Sequence, residues 1–375
     1  MKGYNASFNA GNVEVLANFL KKGVKMNNLK KEKISIEVIK TLVARFENFP
    51  EDASNNRNAP FHEAFLQAFS DKLQNSVSDV PFFLSLASWL HGLNTTLGQS
   101  FFENVAHILC NGEKREYTSK KLGNKQITKK QQENITKIIT DLSNSSKSPS
   151  LEYENALLLQ NDYTEKITAS DFSADVFFET ENEVVAIELK TVKPNSGGMM
   201  GEKQKILEGK SALYHLFPNK KINFFFGFPF DPTVNPALEN VTGYDKTRFL
   251  NSVINANKFV AQNEVLLANE LWNYLSGEQN TMEDILQIIN TIATTDFLLK
   301  LQLLKDNSKR NTPEYLNQLT EWNLFSEINL IQNDAIIRQN LNKEDLRIYN
   351  KLIFDNNGKY NWERYNCLEK RKVNN

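Results

Sequence analysis

An acid and an amine two residues apart, Glu188 and Lys190, follow the short apolar run Val184-Val185-Ala186-Ile187, and an aspartate, Asp175, opens another such run, Val176-Phe177-Phe178. Both runs are rich in β-branched and aromatic residues, and the polar cluster Glu181-Asn182-Glu183 separates them, so residues 173–195 read as a β-hairpin. Side chains alternate along a strand, which sends Glu188 and Lys190 to one side and Leu189 to the other, into the core. Carboxylates on adjacent strands can hold a hard divalent cation through oxygen, with the Leu189 carbonyl as a further ligand and water in the remaining positions. A metal-bound water of lowered pKa, oriented or deprotonated by Lys190, is a nucleophile suited to in-line attack on a phosphodiester. Metal and lysine would also stabilise the charge that develops in the transition state.

Glu-x-Lys by itself is a weak signal in a chain with 45 acids and 44 bases, and it recurs at Glu208-Gly209-Lys210. The second copy lies in a segment of helical character with no strand to carry it and is set aside. The first has strand, turn, strand and a leading aspartate. The plain alternative is that Asp175, Glu188 and Lys190 are solvated hairpin-end charges, whose ion pairing would be worth almost nothing.

Asp175, then Glu188-Leu189-Lys190 after a hairpin, then a basic helix and another apolar strand resemble the PD-(D/E)XK nuclease core. More narrowly, IELKTVKPN followed by GEKQKILEGKSALYHLFPNKKINFFFGFPFDP is similar to the TdeIII family of type II restriction endonucleases, over residues 97–277. Ala174 stands where a proline often precedes the aspartate, a departure the superfamily tolerates. The resemblance implies an α/β fold, a restriction-endonuclease-like core in which helices flank a mixed sheet. It implies Asp175 and Glu188 as metal ligands, Lys190 as the water-orienting base and Mg²⁺ as cofactor, with Mn²⁺ substituting. It further implies double-strand cuts in duplex DNA at a short interrupted palindrome of the GGNCC kind, made by a homodimer whose two-fold axis matches the site. A cognate DNA methyltransferase would be its functional partner.

Other elements must position these groups. In residues 95–110, TTLGQSFFENVAHILC, Phe101, Val105, Ile108 and Leu109 form an apolar stripe, with Glu103 on another face near the helix N-terminus. In the nucleases this chain resembles, such a helix lends a carboxylate to the metal cluster, which would make Glu103 a further ligand. The alternative is an acid favoured there by the helix dipole. Residues 111–130, NGEKREYTSKKLGNKQITKK, read as a basic loop or hairpin inserted before the strands, with Lys120, Lys121 and Lys125 as candidate DNA-backbone contacts. Charge runs are nonetheless most often solvated surface. A helix is expected over 131–142.

After Lys190 come Lys193, Asn195 and a glycine-containing loop able to approach a backbone closely, then a helix bearing Lys203, Gln204, Lys205 and Lys210, any of which could clamp a phosphate. The nearly continuous apolar run INFFFGF, residues 222–228, fits a strand buried on both faces and reached through a crossover helix.

The chain has 375 residues, 40% hydrophobic and 24% charged, enough for two or three domains. We expect a helical region over 1–94, a catalytic core over 95–244 with the basic insertion, and a helical region over 245–375. Helical spacing recurs in Val13, Leu16, Leu20 and Val24, in Ile34, Val38, Leu42 and Phe46, in Phe65, Phe69 and Leu73, and again in Phe249, Val253, Phe259, Val265, Leu266, Leu271, Trp272 and Leu275. The closing cluster KYNWERYNCLEKRKV could stack on bases, but docking of Trp362 into the core is the favoured reading.

A net charge of −1 requires any DNA-binding surface to arise from local segregation of charge. Two distant cysteines, Cys110 and Cys367, and four histidines argue against a zinc site or a disulfide framework, and a reducing bacterial cytoplasm fits. No signal peptide or membrane span is visible, and no phosphate-binding glycine motif follows a strand. Two alternatives stay open: a structure-selective or repair endonuclease on the same core, and a catalytically inactive DNA-binding scaffold. The intact set Asp175, Glu188 and Lys190 argues against the second.

Overall fold

The computed structural model describes residues 26–50, 64, 66, 80–117, 126–161, 163–190 and 198–367. Lys120, Lys121, Lys125, Lys193 and Asn195 lie outside them, as do the helical patterns at Val13 to Val24 and at Phe65, Phe69 and Leu73.

The strands, in chain order, are β1 (Glu113–Tyr117), β2 (Gln126–Thr128), β3 (Lys166–Thr168), β4 (Phe172–Glu179), β5 (Glu183–Leu189), β6 (Lys221–Phe228) and β7 (Val265–Leu267). Five form one mixed sheet in the order β1-β4-β5-β6-β7, and β2 pairs with β3 separately. The expected hairpin is β4–β5, antiparallel from Val176↔Ile187 to Glu179↔Val184. β5 also pairs in parallel with β6 and is buried along its whole length, which is why its sequence between the two glutamates is wholly apolar.

The helices include α1 (Asn28–Phe46), α2 (Val80–Thr96), α3 (Phe102–Cys110), α4 (Lys129–Ser143), α5 (Leu151–Leu158) and α6 (Gly198–Leu216). α4 is started by a capping box between Thr128 and Gln131, and α5 by the Ser150 hydroxyl accepting from the Tyr153 amide. α6 is the crossover between the parallel strands β5 and β6. It lies close on the sheet because Gly209 has no side chain there: a Cβ would stand 2.8 Å from the Phe224 ring and 3.1 Å from that of Phe172.

Two expectations are corrected. Residues 111–130 were expected as a loop or hairpin, but their described residues hold two strands that do not pair with one another, β1 pairing with β4 and β2 with β3; local sequence does not encode a distant partner. Val265–Leu267 is a strand beside β6, where a helix was expected, because three apolar residues are too few to display a period.

The chain divides into two compact units. One contains Glu103–Leu286, with the whole sheet; the other contains the described parts of Asn28–Phe102 and Gln287–Asn375 and is helical. In the helical unit Glu32 of α1 accepts from the amide and hydroxyl of Ser326, and Glu327 pairs with Arg364 at 2.8 Å while accepting from the Tyr360 hydroxyl at 2.8 Å. Trp362 is 39% exposed, with its ring against Tyr360 and Tyr365. The closing segment is therefore anchored by Tyr360 and Arg364, and the expected docking of Trp362 into the core is corrected: the buried carboxylate of Glu327 selects groups that can hydrogen-bond to it. Among the described residues no helix is long and apolar enough to cross a membrane.

Candidate active site

The irregularity that builds the site is in the pairing of β1 with β4. Glu113 faces Phe177 and Arg115 faces Ala174, so two residues of β4, Asp175 and Val176, oppose the single Lys114. This is a β-bulge, a device that re-aims a side chain where a regular ladder would not. Two contacts brace it. The Nε2–H of His107, on α3, donates to the Asp175 carbonyl at 2.7 Å. Gly112 passes so close to the Phe177 carbonyl that a Cβ would lie 2.7 Å from its oxygen.

The β4–β5 ladder stops at Val176↔Ile187. One step further, the Leu189 amide donates to Asp175 Oδ2 at 2.9 Å, a side chain serving as acceptor at the point where the two strands part. Asp175 Oδ1 lies 3.2 Å from the Lys114 amine, which also donates to both oxygens of Glu103 at 3.2 Å. Glu188 is 7% exposed. Its Oε1 accepts from Lys190 at 3.0 Å and from Lys205 of α6 at 3.1 Å, while its buried Oε2 has no hydrogen-bond partner among the described residues. Lys190 also lies 3.2 Å from Glu202 Oε2. Beyond Leu189 the Lys190 amide donates to the Gly227 carbonyl at 2.9 Å, which ties the residue to β6.

The electrostatics follow. Burial, and then the charge of Asp175, push the Glu103 carboxyl above its ordinary value, with Lys114 opposing. Burial works against the charge on Lys114, yet Asp175 and Glu103 outweigh it and hold the amine above the ordinary lysine value. Lys190 behaves in the same way under Glu188 and Glu202. It therefore stands as an ammonium ion, suited to orienting a water or neutralising a phosphate oxygen and poorly suited to removing a proton.

Sequence reasoning named Asp175, Glu188, Leu189, Lys190 and Glu103, and all lie in this region. It missed Lys114, His107 and Glu202. Glu103 does not start a helix: a π-helical turn, Leu97–Phe101, leads directly into α3, which weakens the helix-dipole explanation of this acid. Two candidate phosphate clamps are corrected. Lys203 is 0% and Lys210 1% exposed. Lys203 donates to Glu154 at 2.6 Å and to both oxygens of Glu264 at 2.7 Å, and Lys210 donates to Asn155 at 3.0 Å. Of the four helix candidates only Gln204 and Lys205 remain open to solvent.

Among the described residues no three His, Cys, Asp or Glu side chains converge into a ready-made metal cage; lysines bridge the acids instead. The donors nevertheless suit a hard divalent ion. They are carboxylate oxygens, one of which, Glu188 Oε2, is buried and unpartnered among the described residues, and Mg²⁺ is ordinarily held by only one or two protein carboxylates with waters completing its shell.

The HinfI family of type II restriction endonucleases matches residues 26–293. The type II restriction enzyme MjaII of Methanocaldococcus jannaschii is 44% identical over 357 residues, covering 89% of this chain and 94% of the relative. No solved structure matches the chain. Both matches are of one class, the site-specific endodeoxyribonucleases of restriction. The chain belongs to the HinfI family of type II restriction endonucleases. The expected class therefore stands, while the narrower likeness to TdeIII is replaced by the HinfI family.

Proposed function

We propose that this protein makes metal-dependent double-strand cuts in DNA at a short interrupted palindrome, of the GGNCC kind that the sequence resemblance suggested. The observation that supports this best is Glu188, clasped by Lys190 and Lys205 through one oxygen with the other buried and unpartnered, beside an aspartate set on a bulge. Asp175 and Glu188 would hold Mg²⁺, or Mn²⁺ in its place, with the Leu189 carbonyl and Glu103 as further oxygen donors. When bound, the ion supplies charge neutralisation at the scissile phosphate and a water acidified toward neutral pH. Lys190, beside Glu188 and Glu202, orients the attacking water and stabilises negative charge as the phosphodiester opens. Lys205 and Gln204 face solvent beside the site and are suited to the flanking phosphates; Lys193, Asn195, Lys120, Lys121 and Lys125 are proposed for the same role. Two copies related by a two-fold axis would cut one strand each, and a cognate methyltransferase would protect the host's own sites.

The test is digestion of unmethylated plasmid or phage DNA with Mg²⁺, beside Glu188→Ala and an EDTA control. Discrete fragments from the wild type alone, with ends mapping to one interrupted palindrome, are expected. A featureless smear would contradict site-specific cutting, and equal cleavage by Glu188→Ala would remove the site from the reaction.

A further inference from the structure

Lys114 was not among the residues the sequence singled out, yet its amine is the most acid-crowded cation at the site. Three carboxylate oxygens from two different elements lie 3.2 Å from it: both of Glu103, on α3, and Oδ1 of Asp175, on β4. Two carboxylates drawn this close repel unless a positive charge sits between them. The strand pairing supplies that charge by construction, because the bulge sets Asp175 and Val176 opposite Lys114 alone. His107 holds the Asp175 carbonyl, so the aspartate is fixed from behind while its carboxylate turns to the lysine. The partners of Lys114 are two of the acids to which the proposed function gives the metal.

We propose that Lys114 is a tethered counter-ion that occupies the acid pair Glu103–Asp175 in the metal-free protein and is displaced when a divalent cation binds. This inference rests on the metal-binding reading above. An ammonium on a flexible four-carbon stem is suited to the task, since it can leave its acids without any movement of the backbone. Its side chain is 41% exposed, so it has somewhere to go. The bulge and the lysine together let the acids be assembled before the ion arrives, at the cost of competition when it does. Lys114 is a positioning residue in this scheme: it organises the acids and has no assigned contact with the reacting atoms.

The experiment is titration of the full-length protein with Mn²⁺ alone, without DNA, by calorimetry, together with thermal melting in EDTA and in Mn²⁺. The variants are Lys114→Met, Lys114→Arg, Asp175→Asn and Glu188→Gln, each checked by circular dichroism. Lys114→Met, which keeps the length and removes the charge, should bind Mn²⁺ roughly fivefold tighter, the scale set by one partly exposed ion pair. It should also melt lower than wild type in EDTA and gain more from Mn²⁺. Lys114→Arg should restore wild-type behaviour in both readouts. If Lys114→Met binds Mn²⁺ no tighter than wild type while Asp175→Asn has lost binding, the metal seat stands and Lys114 is only a structural ion pair, which overturns the proposal. If Asp175→Asn and Glu188→Gln both bind like wild type, the metal reading itself fails and takes this inference with it.

Discussion

Helix α6 carries two lysine–carboxylate clusters on opposite faces, one dry and one wet. Lys203 sits within 2.6–2.7 Å of Glu154 and Glu264, and all three side chains are shut away from solvent. On the other face Glu202 and Lys205 meet Lys190 and Glu188 at 3.1–3.2 Å, where water can enter. An orphaned oxygen does not separate the two clusters, because among the described residues Glu154 Oε1 is as unpartnered as Glu188 Oε2. Access does. The dry cluster locks α5, α6 and the Gln262–Glu264 turn to one another. In the wet one, Lys190, Lys205 and Glu202 are each partly exposed. Similar chemistry on one helix is thus shut away from solvent on one side and open to it on the other.

The comparison breaks most visibly on the dry face. Lys203→Met strands two buried acids, and burial, with Glu264 adding to it, already pushes the Glu154 carboxyl upward. A loss of about 3–5 kcal/mol is expected on breaking such a buried pair, measured by denaturant unfolding, with the cleavage rate per folded molecule unchanged. If stability holds, the dry cluster is not a lock. The mirror experiment is Lys190→Met, which should lower the cleavage rate about 10²–10³-fold, as removal of a preorganised electrostatic group does, and leave the melting temperature within a degree or two of wild type, as expected for a partly exposed residue. A large fall in stability with normal turnover would reverse the assignment of the two faces.

The smallest effect concerns pH. Burial, with Lys203 contributing, pulls the Lys210 amine down to about 8, although Glu264 and Glu154 oppose this. Between that value and the ordinary lysine range the unfolded chain holds the extra proton, so stability attributable to Lys210 rises with pH from about 8 toward 10. Below about 8 both states are charged and the burial penalty is felt in full. Relative to Lys210→Met, wild type should therefore gain stability across that window. A flat difference would mean that the amine is not desolvated as its surroundings indicate.

The hairpin was legible because a two-residue period, β-branched residues and a polar turn coincide there, and with it came Asp175, Glu188 and Lys190. The crossover helix and the buried strand β6 followed from the same patterning. Lys114 was not legible: its role depends on β1 pairing with β4, and nothing local in EKREY announces that partner or the bulge. Lysine also misled. Met199, Lys203, Ile206, Lys210 and Leu213 recur at alternating intervals of four and three, the seam of a buried helix face. Reading lysines as surface residues by type concealed a pattern that position displayed.

The bulge at Asp175 and Val176 also sets how this sheet responds to the loss of a codon. In a regular ladder, removing one residue exchanges the core and solvent faces of everything beyond it. Here β4 pairs with β5 only from Val176 onward and its earlier residues pair with β1 alone, so the mismatch lies at the handover between two neighbours. Deleting Val176 would bring Lys114 and Asp175 into a plain one-to-one match and leave both flanking registers as they are. The aspartate would then occupy the place of a fully buried valine, opposite Lys114 but one position along the strand from where it accepts from the Leu189 amide. If Asp175 holds the metal as proposed, the mending of a seam that the backbone carries at this one point would silence cleavage while leaving the rest of the sheet in register.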